Sequence, residues 1–441
     1  MLDSILAALH QRRDLQAWSV RHVVQHDAQL YSVAQRVQAR REVENEYFVI
    51  DVLCDTSTAE AQTCGTATIT LLSGDDANRA INEAALMAGL VHNPPHSIPA
   101  RAEMPSVPLA DAELLTAADR STALNRLYAR LQQAVRQYPP VRLTASEFFA
   151  DETTTHLVNS CGLDATQTAT SVAAEWVLIN RSDGQETEAF SEMTRRRADD
   201  IDIEGEVALR AQGAIDLLQA APALNYAGPV VLRGDVLANF ICGDNVLADN
   251  GLFAVLGSAR SKFSQLSKWE IGQSIFRGEV RGDPLTVWAT RQLPYGTHSN
   301  RFDDEGLPAQ RVLLVENNRL ATFTASQRYA EYLSLPPTGA FGNIEVLSGR
   351  TAQADLLAEP YVEIVAFSWF NPDSITGDFA TEIRLGYVVD AKGRRPFKGG
   401  LLIGNVLDAL ANVRWSRETA FSGNYLGPAA ARFGQLTVAG S

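Results

Sequence analysis

A chain of 441 residues, 46% hydrophobic and 20% charged, has ordinary globular composition and the length for two or three domains of usual size. With 38 Lys and Arg against 52 Asp and Glu, its formal net charge is -14, which leaves no cationic footprint for DNA, RNA or an anionic membrane surface. No apolar run reaches the ~18 residues that span a bilayer, and Met1-Leu2-Asp3-Ser4 does not open a secretory signal, so the expected location is cytoplasmic.

Leu2, Ile5, Leu6 and Leu9 recur at helical spacing and predict a short opening helix. Residues 17–24 and 29–37 predict strands with polar alternation. Residues 47–53 and 66–72, rich in Val, Ile, Phe and Thr, predict stronger ones. Asp75-Asp76 can cap a helix running to about Ala88. The prolines of 92–108 exclude regular structure and predict an exposed connector, with His92 and His96 as solvent-exposed loop histidines rather than metal ligands. Residues 111–137 predict a long helix, with Leu124, Leu127, Leu131 and Val135 close to one stripe. Strands follow at 141–149, 156–160 and 171–179, the last closed by the turn pair Asp183-Gly184, and a further helix covers 203–219. The strand-and-helix pattern thus occurs twice without a sequence repeat to prove a duplication.

From Pro229 onward glycines become frequent, strands short and helices few, with helices expected only at 236–247 and 404–413. The expected fold is α+β. An N-terminal strand-and-helix domain over 1–220, with its proline-rich connector, precedes a large curved antiparallel β domain over 221–441.

The motifs lie mostly in that second part. Arg301-Phe302-Asp303-Asp304-Glu305-Gly306-Leu307-Pro308 places three acids before a glycine and a proline and reads as a turn. Residues 312–316, Asn317-Asn318 and 320–324 then read as a β-hairpin. Asn371-Pro372-Asp373, Thr376-Gly377-Asp378-Phe379, Ile403-Gly404-Asn405 and a terminal Leu436-Thr437-Val438-Ala439-Gly440 complete the series. In this order the signatures resemble the TldD/PmbA family, once called modulators of DNA gyrase, and most closely its PmbA (TldE) branch. The resemblance covers the last third of the chain; the middle fits more loosely and the first part diverges.

In the TldD branch the helix after the strand matching Pro229 carries His-Glu-x-x-x-His, and a late cysteine completes a zinc site. Two imidazoles and a thiolate leave one position for water, and the glutamate takes its proton. Here Gly243, Asp244 and Ala248 occupy the histidine, glutamate and histidine slots, and Phe421-Ser422-Gly423-Asn424-Tyr425-Leu426-Gly427-Pro428 has no cysteine. The resemblance therefore implies a non-catalytic subunit without cofactor, paired with a zinc-bearing TldD-like subunit in a peptide-cleaving complex. Asp303, Asp304, Glu305, Gly306, Asn371, Gly377, Asp378 and Phe379 become candidates for partner or substrate contact. Apolar groups near the C-terminal turns, Phe341, Trp369, Phe370 and Phe379, are candidates for an interface.

Two alternatives stay open. One is a peptide hydrolase with a non-zinc site, for which Cys242 is a candidate nucleophile and His298, written beside the acidic turn, a candidate base. The other is a homodimeric peptide-binding or scaffold protein. No phosphate-binding glycine loop, Cys-x-x-Cys or nucleophile elbow supports a further class.

Overall fold

The computed structural model describes residues 1–182, 184–243 and 251–440. Six antiparallel strands form the first sheet: β1 (Leu15–Val33), β2 (Arg36–Asp55), β3 (Cys64–Leu72), β4 (Val141–Asn159), β5 (Asp164–Ser182) and β6 (Gln185–Arg195), in the order β3-β2-β1-β4-β5-β6. Several are longer than their composition suggests. The expected strands at 141–149 and 156–160 are one, because the polar stretch Asp151-Glu152-Thr153-Thr154-Thr155 is paired with β1 on one side and β5 on the other. The hairpin between β1 and β2 turns at Ala34 and Gln35, inside the predicted strand 29–37. Both take positive φ without being glycine or asparagine, so no turn signal marked the place.

Helices flank these strands in a repeated order. α1 (Leu2–Gln11), β1, β2, β3 and α2 (Ala77–Ala88) are followed by α3 (Ala117–Val135), β4, β5, β6 and α4 (Ile203–Leu217). The two α-β-β-β-α units meet edge to edge through β1 and β4, at the centre of the sheet. Trp18 and Val20 pack with Ile5, Leu9, Phe48, Ile81 and Ala84, whereas Ala28 and Leu30 pack with Leu124, Leu127, Phe148 and Trp176. These four β1 residues share one parity, so both helix pairs cover the same face of the sheet at opposite ends. Asp76, Thr116 and Asp202 cap α2, α3 and α4 through their side chains, in line with the capping expected at Asp75-Asp76.

The connector after α2 has no helix or strand of its own, but it is not the exposed linker its prolines suggested. Val107 and Leu109 pack against Ala309, and Met104 lies on Phe302, Leu157 and Leu163. His96 is half-buried, with Nδ1 3.2 Å from the Cys64 thiol and 3.3 Å from the Tyr332 hydroxyl. The segment is gripped between the first sheet and the rest of the chain, which burial of its apolar residues accounts for.

Beyond residue 220, strands Tyr226–Arg233, Ala430–Ala439, Leu401–Asn405, Asp378–Asp390 and Tyr361–Phe367 pair successively, and the last also pairs with the first, so the sheet curls back on itself. α5 (Gly234–Cys242) packs against its strands. A second small sheet includes Arg311–Glu316, whose hairpin turns at Asn317 and Asn318, both at positive φ, the geometry of a tight two-residue turn. Phe240 of α5 meets Phe433, Phe370 and Phe379 at ring distances of 4.8, 5.2 and 5.7 Å. This corrects the interface expectation: Phe341, Phe370 and Phe379 are core, and of the four aromatic candidates only Trp369, 68% exposed, faces outward. Among the described residues, no helix is long and apolar enough to cross a membrane.

Candidate functional site: a cleft between the two halves

A cleft of about 680 Å³ opens where β6 and α4 face α5 and the curled sheet. Consecutive residues of β6, from Glu188 to Arg195 with the single exception of Ser191, line one wall, as expected of an edge strand turned edge-on. Leu209 and Leu217 of α4, and Phe367, Trp369 and Phe370, add apolar surface. The far end is polar and is built by short segments: Asp235 and Asn239 of α5, Thr297-His298, and Ser422-Gly423-Asn424.

The buried guanidinium of Arg196 organises this end. It donates to the carbonyls of Gly296 (2.8 Å), Thr297 (2.8 Å), Ser299 (2.7 Å) and Thr170 (3.2 Å), clamping the 296–299 loop to β5. Burial lowers its pKa to about 10, still far above neutrality, and the charge of Asp151 offsets part of that fall. Asp151 lies directly opposite Asp27 across β1 and β4, and burial, then its neighbour's charge, raises its pKa to about 6. Burial first, and then the Arg196 charge, depresses His298 to about 4, so its imidazole is neutral near pH 7. Asp235 accepts a short hydrogen bond from the Ser422 hydroxyl and lies 3.9 Å from Arg195.

The sequence candidates scatter. His298 lines the cleft but faces Arg196, not the acids written beside it. Cys242 packs in the core around α5, and burial drives its thiol pKa up, away from the thiolate a nucleophile needs. Asn371 is exposed. Gly377 takes φ +82 in a turn that Asp373 caps, and Asn405 bonds Thr376 and Asp378 while capping the next helix.

The acidic turn lies outside the cleft, at the seam with the first sheet. Asp303 Oδ1 accepts from the backbone N–H groups of Glu305, Gly306 and Leu307, and its Oδ2 accepts from Ala340 and lies 3.6 Å from Arg291. Asp304 reaches Arg21 of β1 at 2.6 Å. Gly306 takes φ +98 against Leu157 and Leu163. Glu305 accepts from the Gln327 N–H at 2.9 Å, and burial, then Asp303, raises its pKa to about 7. A carboxyl whose folded pKa exceeds its unfolded value holds its proton better in the native state. Its stabilising contribution is therefore greatest in acid and falls as pH rises from about 4.3 to 7. Glu305→Gln removes that dependence: relative to the variant, wild type should lose about 2–3 kcal/mol between pH 5 and pH 8 in denaturant melts. Parallel pH profiles for the two proteins would contradict the assignment.

Sequence reading missed Asp235, Arg196 and Asn424. The available signal was Arg195-Arg196-Arg197, a basic run in an acidic chain.

The zinc that the resemblance places in the TldD branch does not fit these residues. α5 ends at Cys242, and Gly243, at a positive φ of +77 that favours glycine, follows as its C-cap. Asp244 and Ala248 lie outside the described residues. The stretch 421–428 holds no cysteine, and no three His, Cys, Asp or Glu side chains among the described residues group as a metal site.

Residues 229–440 match the model of the PmbA/TldA metallopeptidase C-terminal domain. An uncharacterized protein of Methanocaldococcus jannaschii is 25% identical over 297 residues, 64% of this chain and 66% of its own length, so the chain spans just under two thirds of that relative. Two solved structures share the fold across nearly the whole chain. A proposed modulator of a DNA gyrase from Thermotoga maritima has a TM-score of 0.82 and 18% identity over 99% of both chains. TldE from Thermococcus kodakarensis has a TM-score of 0.78 and 18% identity over 100% of both.

Proposed function

We propose that this chain, which matches the PmbA/TldA C-terminal domain over residues 229–440 and shares the TldE fold, is a zinc-free, TldE-like subunit of a TldD-type metallopeptidase. Its role is to form one wall of the cleft in which an extended peptide is held for a zinc-bearing partner. The observation that carries this reading is the combination in one place of a retained cleft and absent ligands. α5 borders an open cleft with an apolar rim, yet contains no histidine. An edge strand along the wall suits main-chain pairing with an extended chain, a mode that tolerates many sequences. The net charge of -14 gives no support to DNA as the ligand.

The test is co-expression with a zinc-bearing TldD-like chain, followed by measurement of mass and of peptide cleavage. A stable pair burying well over ~1,600 Å², with cleavage abolished by a chelator, is the expected result. Chelator-insensitive peptidase activity from this chain alone, or a stable monomer that binds no such partner, would overturn the proposal.

A further inference from the structure

We propose that His298 and Asn424 form a neutral anchor for the main-chain N–H and C=O of one residue of an extended chain lying in the cleft. The inference rests on the peptide-holding role above and names the site within it.

Asn424 is 5% exposed and lines the cleft, yet its Oδ1 has no hydrogen-bond partner among the described residues. The same holds for Nδ1 of half-buried His298, which lines the same end. Leaving a buried polar atom unpaired costs about 1–3 kcal/mol, so two at one end of one cleft call for an explanation. Their surroundings hold both side chains in place. The Thr297 N–H donates to the Gly423 carbonyl at 3.2 Å, which sets the two segments side by side. The His298 N–H donates to Asn343 Oδ1 at 3.0 Å, and the Ile344 N–H donates to the Asn424 carbonyl at 2.8 Å. The Arg196 clamp fixes the carbonyls on either side of His298.

The chemistry of the pair selects the ligand. The Asn424 carboxamide oxygen accepts a hydrogen bond. A neutral imidazole in its Nδ1–H tautomer donates one. One acceptor and one donor at the same end of the cleft match the main-chain N–H and C=O of one residue of an extended chain, which point to the same side as they do in a strand ladder. An anionic ligand group would meet Asp235, Glu188 and Glu192 in the same cleft, and a cationic one would meet Arg195 and the buried Arg196. An amide meets no like charge.

The experiment measures binding of a labelled, unstructured peptide to the full chain by fluorescence anisotropy. It is repeated with peptides in which single amides are replaced by esters, which lack the N–H. Asn424→Leu and His298→Phe should each weaken binding about 3- to 10-fold, the worth of one hydrogen bond, with melting temperature as the control for folding. His298→Asn, which can present an amide nitrogen near the place of Nδ1, should recover most of the affinity. On wild type, an ester at one position should weaken binding by a similar factor, and Asn424→Leu should make that position insensitive. Peptide binding that is unchanged in folded variants, or an ester series with no sensitive position, overturns the anchor and leaves the subunit reading intact. No peptide binding by wild type, either alone or paired with a zinc-bearing TldD-like chain, overturns both.

Discussion

Asp303→Ala should destabilise the protein by about 3–5 kcal/mol, enough to lower the denaturation midpoint severely. The reason is that one buried carboxylate, 6% exposed, does several jobs at once. It closes its own turn through three backbone N–H groups and ties the turn to Ala340. It also neutralises Arg291, whose guanidinium is 2% exposed and otherwise donates to Asn300 and to the carbonyls of Leu307, Pro308 and Thr338. Removing the carboxylate leaves a buried cation without its counter-charge and the N–H groups of Glu305, Leu307 and Ala340 without an acceptor, while Gly306 keeps the Asp303 backbone carbonyl. The packing is close: at Gly339, φ +83, a Cβ would lie 2.0 Å from Arg291 Nη2 and 2.7 Å from Asp303 Oδ2. Asp303→Asn keeps one acceptor oxygen for the turn and should cost less than alanine. Equal costs for Asn and Ala, or a loss under about 1 kcal/mol for Ala in urea unfolding, would remove the turn from this role.

That reading changes what the acidic signature means. Its three carboxylates look in sequence like a solvated turn or a contact for something outside the chain. In space Asp303 faces Arg291, Asp304 faces Arg21, and Glu305 caps toward Gln327, so all three join parts of the same chain. Nothing in the local sequence specifies Arg21, which lies on β1 almost three hundred residues earlier.

Local signals were legible where local physics decides. The capping aspartate before α2, the stripe of α3 and the Asn317-Asn318 hairpin follow from caps, periodicity and turn chemistry. Non-local features were not. The length of β4 depends on partners on both sides, which make strand of a run of threonines and acids. The buried connector depends on the Ala309 segment arriving two hundred residues later. The cleft draws its polar end from three short segments and its floor from an arginine on β6's end, so no window of sequence contains it. His298 shows the error most directly: adjacency in sequence set it beside the acidic turn, whereas the fold turns it to Arg196 and keeps it neutral.

Arg196→Lys, a nominally conservative change, should cost about 2–4 kcal/mol and weaken peptide binding as well. The guanidinium reaches four carbonyls through a rigid planar fork, and an ammonium with three donors on a single nitrogen cannot occupy those directions together. At least one of the Gly296, Thr297, Ser299 and Thr170 carbonyls loses its donor, and the more strongly hydrated ammonium is buried in its place. The stability loss alone would fit any buried arginine, so binding is the discriminating readout. If Arg196 acts on the ligand through the loop that presents His298, the binding loss of Arg196→Lys should shrink to within error in a His298→Phe background. Additive losses in that double-mutant cycle would mean that Arg196 reaches the peptide by another route. Unchanged melting and unchanged binding in Arg196→Lys would mean that the 296–299 loop is held without it.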